Sequence, residues 1–126
     1  MGLTLKEVRN PVPRVRAEKV LAALEAAGPV NEYIAAGAIS PNDGVALLKA
    51  TAVGQAMTLA DGTVPGETML VRLLEVGVTG GTIVLTPTTF ADGATMTFDA
   101  AGESETLIWV TTTGWTVRPG GSSTIA

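Results

Sequence analysis

The sequence predicts a mainly β protein: a small antiparallel β-sandwich or barrel-like module, preceded by an extended arm and a short α-helix. Three observations predict it. Beyond residue 44 the apolar residues recur with a period of two in short runs. Gly, Asp and Asn fall as turn residues between nearly all of those runs. The composition, with 15 Gly, 4% aromatic residues and 46% apolar residues that are mostly Ala, Val and Leu, suits short strands joined by tight turns. At 126 residues the chain supports one core with an appended arm.

Residues 1–12 read as the extended arm, because Asn10-Pro11-Val12-Pro13 removes two amide donors and biases the residues before each proline towards extended backbone. From Pro13 the apolar positions Ala17, Val20, Leu21, Leu24 and Ala27 recur three and four apart, and Gly28-Pro29 supplies a stop; this is the helix. Its apolar face is narrow and made of small side chains, so it needs a surface to pack on. Residues 30–36 add a helical turn around Tyr33 and Ile34. A loop of Gly37, Ser40-Pro41 and Asn42-Asp43-Gly44 then ends the unit, with Asn42-Asp43-Gly44 read as an Asx-type turn.

Strands are expected at residues 45–51, 55–59, 67–76, 82–86, 94–98, 106–110 and 115–118. The connections at 60–62, 77–81, 91–93, 101–102 and Gly114 leave no room for helical crossovers, so hairpins are expected. The chain therefore divides into an arm and helical segment at 1–40, a β-rich module at 41–118 and a mobile Gly/Ser-rich tail at 119–126. Thr58-Leu59-Ala60-Asp61-Gly62 echoes Thr89-Phe90-Ala91-Asp92-Gly93, and each is followed by a Gly-Glu pair that opens a strand, at Gly66-Glu67 and Gly102-Glu103. The echo reads either as an internal duplication or as repeated use of the Asp-Gly turn.

The segment 67–76 has two apolar faces, Leu70 and Leu74 on one and Met69, Val71 and Leu73 on the other. Such a strand is either central to a double-layer core or buried between subunits, which makes these five residues the candidates for self-association. Trp109 and Trp115 read either as core residues or as a stacking platform for a sugar.

Composition narrows the chemistry. The chain has no Cys and no His, which excludes disulfides, thiol catalysis, thiolate metal sites and the commonest general base. Asp92, Asp99, Glu103 and Glu105 around two turns remain as carboxylates for a calcium site or a glycosidase pair, against the simpler reading of solvated turn residues. No nucleophile elbow, Ser-x-x-Lys dyad or phosphate-binding loop is present, so neither enzymatic activity nor a cofactor is expected. No apolar run reaches the roughly 20 residues of a membrane span, and a soluble protein without a membrane partner is expected. The net charge is −4, yet Lys6, Arg9, Arg14, Arg16 and Lys19 make the first segment basic while acids dominate afterwards. An acidic body repels phosphates, so nucleic acid is not an expected partner.

The string Gln55-Ala56-Met57-Thr58-Leu59-Ala60-Asp61-Gly62, Thr82-Ile83-Val84-Leu85-Thr86-Pro87, Thr89-Phe90-Ala91-Asp92-Gly93, Thr106-Leu107-Ile108-Trp109 and Gly114-Trp115-Thr116-Val117 resembles β-modules in structural proteins of tailed bacteriophages, of the head decoration (capsid cement) or head-fibre class. The resemblance covers the last two-thirds of the chain and includes no catalytic signature. It implies a homotrimer seated on the outer capsid surface at local threefold positions, bound to the major capsid protein through its N-terminal segment. The basic and apolar residues there, Lys6, Arg9, Arg14, Arg16, Lys19, Leu21 and Leu24, are the candidates for that contact. The alternative is a module of a tail fibre or spike that binds a host surface glycan or receptor.

Overall fold

The computed structural model describes residues 28–126, which form ten strands and, among the described residues, no helix. In chain order these are β1 (Val30–Tyr33), β2 (Gly37–Ile39), β3 (Val45–Ala50), β4 (Gln55–Leu59), β5 (Thr68–Val76), β6 (Ile83–Pro87), β7 (Met96–Phe98), β8 (Ser104–Val110), β9 (Gly114–Val117) and β10 (Thr124–Ile125). They build two five-stranded sheets, ordered β1-β3-β5-β8-β9 and β10-β7-β6-β4-β2. Neither closes into a barrel. The sheets enclose one apolar core, to which the first contributes Leu48, Val71, Leu73 and Leu107 and the second Met57, Leu59, Leu85 and Phe98. The arrangement is sandwich-like.

The expected antiparallel connectivity is corrected: both sheets are mixed. β1-β3, β3-β5, β2-β4 and β4-β6 are parallel pairs. From β1 to β6 the chain alternates between sheets, so each strand lands beside the one two before it. Parallel neighbours require a crossover, and here the crossover is a strand of the opposite sheet, not a helix. The glycine-rich stretch at 77–81 and the turns at 60–62 and 101–102 therefore carry the chain from sheet to sheet and are not hairpins. Of the expected hairpins, the turn before Gly114, between β8 and β9, is one, and β6 and β7 are joined by a longer antiparallel connection.

Two of the cross-sheet turns share one construction. The Glu67 carboxylate accepts hydrogen bonds from the amides of Thr63 and Val64, and the Glu103 carboxylate accepts them from Asp99 and Ala100. Each glutamate's own amide donates to the carbonyl three residues back, and Gly66 and Gly102 before them hold φ values of 84° and 94°. Only glycine adopts that backbone without strain, so the two Gly-Glu pairs are matching type II-like turns closed by a carboxylate. The longer Asp-Gly echo is not matched in structure: Thr58 and Leu59 end β4, whereas Thr89 and Phe90 lie outside the strands, with Phe90 in an isolated bridge to Trp115. What the two phrases share in structure is the turn chemistry of their Gly-Glu pairs.

Three further expectations are revised. Residues 30–33 form β1, paired in parallel with β3, and not a helical turn. A boundary at residue 40 is therefore not structural, because β1 and β2 belong to the same sheets as the strands that follow. The tail at 119–126 is ordered by β10, which pairs with β7, and by Ser122, whose amide donates to the Ser104 carbonyl and whose hydroxyl accepts from the Ser104 amide. The arm at 1–12 and the helix expected from Pro13 to Ala27 lie outside the described residues.

Candidate interaction surface

The five residues proposed for self-association separate by face. Met69, Val71 and Leu73 point inward and are fully buried in the chain's own core, so they are unavailable to a partner. Leu70 and Leu74 lie on the outer face of the first sheet. Period-two alternation along β5 presents both sets, and a β-bulge interrupts it only past Leu73: Leu48 pairs with Leu73 but Lys49 pairs with Glu75, which leaves Leu74 as the extra residue. Leu74 and Glu75 both turn outward before Val76 returns to the core.

The pairing register extends this outer face across the sheet. One row runs Val30, Val45, Leu70 and Thr106; the next runs Glu32, Leu47, Arg72 and Ser104. Beyond them Ile34, Leu47 and Leu74 line a hollow of about 200 Å³ with Glu32, Lys49 and Glu75. Val30 is 62% exposed, Ile34 64% and Leu74 46%. Sequence reasoning missed Val45 and Leu47, although alternation in β3 places these larger residues outward and the small Ala46 and Ala50 inward, the same two-faced signal that marked β5.

Electrostatics sets this face apart. From residue 28 onward the sequence has nine acids and three cations, Lys49, Arg72 and Arg118. Lys49 and Arg72 both stand on the outer face of the first sheet, opposite Glu32 and Glu75, with Lys49 3.5 Å from Glu75. That ion pair is exposed and adds little stability. Its consequence is local neutrality on an otherwise acidic body.

The residues proposed for chemistry hold the framework. Trp115 is fully buried and donates from Nε1 to the Ala60 carbonyl, while Trp109 is 7% exposed and meets Trp115 edge-on at 5.5 Å. Neither indole offers a free face for a sugar. Asp92 accepts from the Val117 amide, tying the β6-β7 connection to β9. Glu105, 2% exposed, accepts through Oε2 from the amide and hydroxyl of Ser123, while its Oε1 has no partner among the described residues. Asp43 is buried where the chain enters the sandwich and accepts from Asn31 and Tyr33. Its carboxylate does not form the expected Asx turn; the local side-chain acceptor is Ser40, for the Asn42 amide. Burial first, and then the bond to Asp43, raise the Tyr33 phenol above its ordinary value of 10.0.

Among the described residues no three carboxylates converge as metal ligands, and no helix is long and apolar enough to cross a membrane. The proposed capsid-binding residues Lys6, Arg9, Arg14, Arg16, Lys19, Leu21 and Leu24 lie outside the described residues. No family model matches the chain, and no curated protein is found similar to it.

Proposed function

We propose that the protein is a non-catalytic structural component of a bacteriophage virion that decorates and stabilises the outer capsid surface as a homotrimer at local threefold positions. The reading begins from the resemblance of the strand-and-turn phrases between residues 55 and 117 to head decoration modules. The observation that carries it is the use made of the polar groups: Glu67, Glu103, Glu105 and Asp92 bind backbone amides, and Trp115 binds a carbonyl. They brace loops, which suits a structural component of a shell, and an apolar, locally neutral sheet face remains for assembly.

Attachment is through the N-terminal segment, whose basic residues meet an acidic shell surface; the acidic body faces solvent. The major capsid protein is the partner, and binding adds interfacial burial that raises the shell's resistance to disruption. The glycan-binding alternative lacks its proposed platform, because both indoles are buried. Co-sedimentation with undecorated capsids tests this reading. The full chain is expected to pellet with the shell and a chain lacking residues 1–12 to remain in the supernatant. Equal pelleting of both removes the arm from the attachment mechanism.

A further inference from the structure

We infer that the outer face of the first sheet, centred on Leu47, Leu70 and Leu74, is where a second copy of this chain docks. The inference rests on the homo-oligomeric reading above and names the surface that reading requires. Three observations carry it. The face joins exposed Val30, Ile34 and Leu74 to half-buried Val45, Leu47 and Leu70 on and beside three adjacent strands, β1, β3 and β5, with a hollow between Ile34, Leu47 and Leu74, whereas isolated exposed apolar residues need no partner. Alternation along β5 turns Leu70 and Leu74 outward, and Leu74 meets Leu47 at the hollow, so the apolar surface is a product of the strand's own pattern and not a frayed edge. The charges then select the occupant.

A body with nine acids against three cations carries a net negative charge that opposes association of its copies. On this face Lys49 and Arg72 balance Glu32 and Glu75, so a second copy approaches without net repulsion and with opposite charges available on both partners. The outer face of the second sheet lacks this combination. Its register rows, Ala38-Thr58-Thr86 and Ala56-Val84-Thr97, carry small uncharged side chains and no cation.

Five strands about 4.8 Å apart and about 20 Å long present about 400 Å² of planar area, roughly half of what a partner contributes to a standard interface. Association through this face alone is therefore concentration-dependent, and rim loops add to it.

The test is the mass of the full chain by sedimentation equilibrium over a concentration series, with Leu74→Asp, with Thr58→Asp as a control on the other sheet, and with near-ultraviolet dichroism of the Trp109–Trp115 pair reporting an intact sandwich. The expected result is a multiple of 12.8 kDa for the wild type and Thr58→Asp, and a single chain for Leu74→Asp with unchanged dichroism. A folded Leu74→Asp variant that keeps the wild-type mass overturns the inference, as does a wild type that is a single chain throughout. Because the chain has no Cys, Leu74→Cys introduces a unique thiol for maleimide labelling. It is expected to be protected in the oligomer and reactive on dilution. Protection that persists in single chains means residues 1–27 cover the face, and also overturns docking of a second copy. Capsid co-sedimentation of the same proteins separates the two readings: a single-chain wild type that still binds capsids defeats only this inference, and an oligomer disrupted by Leu74→Asp that never binds capsids defeats only the virion role.

Discussion

Glu105 accepts hydrogen bonds from both the amide and the hydroxyl of Ser123, so an inward-facing carboxylate near the start of β8 holds down the C-terminal tail. The packing is tight: a Cβ on Gly121 would overlap the other carboxylate oxygen, Oε1. Ser123→Ala removes the hydroxyl donor from a buried acceptor and is expected to destabilise the fold by about 1 kcal/mol. Gly121→Ala forces the tail away from the sandwich. Both changes should raise hydrogen exchange in the β10 amides in preference to those of β5. Unchanged exchange in β10 would show that the tail is held by other contacts.

Leu73 and Leu74 are neighbours in sequence but point to opposite faces of the first sheet. Leu73→Ala opens a cavity in the shared core and is expected to cost about 2–5 kcal/mol. Leu74→Ala, measured at a concentration where the chain is single, is expected to change stability by less than about 0.5 kcal/mol. Urea denaturation followed by Trp fluorescence measures both. Equal losses would contradict the assignment of Leu73 to the core and Leu74 to the outer face.

The matching turns at Glu67 and Glu103 make a paired prediction. Each carboxylate is partly exposed, so Glu67→Ala and Glu103→Ala should each cost about 0.5–1 kcal/mol. The two share no hydrogen-bond partner, and the double variant should show additive losses in chemical denaturation. Strong non-additivity would indicate that the turns are coupled through the sheets.

Tyr33 is the chain's single tyrosine, so tyrosinate absorbance reports it alone. Its phenol is raised above 10.0 by burial and by the Asp43 hydrogen bond. The folded state thus holds the proton more tightly than the unfolded state. The stability this contributes is complete below the unfolded value and is lost as pH rises through the folded one. An alkaline titration at 295 nm should show a midpoint above that of the urea-unfolded chain, and Tyr33→Phe should weaken the loss of stability in that window. Coincident midpoints would contradict the burial of the phenol beside Asp43.

Much of the strand framework was legible in the sequence. All seven expected strands occur within a few residues of their predicted positions, because apolar alternation and Gly/Asp punctuation are local signals. Their pairing was not legible, because the same turn residues serve a hairpin and a crossing to the opposite sheet. Val30, Tyr33 and Ile34 imitate helical spacing while belonging to or flanking a strand edge, and β1 was missed for that reason. The tail looked mobile because its anchor, Glu105, lies far away in sequence. In residues 67–76 the two faces, Leu70 and Leu74 against Met69, Val71 and Leu73, were legible, but all five stood as candidates for self-association, since one sequence cannot show which side of a strand its own core takes.

The central claim is the proposed structural role on a capsid exterior, and cryo-electron microscopy of phage particles assembled in the presence of the chain tests it most directly. The account predicts density for a ten-stranded, two-sheet module in threefold clusters on the outer shell, with each N-terminal segment directed to the major capsid protein. Virions with a bare outer shell, or with this module confined to the tail, would contradict it.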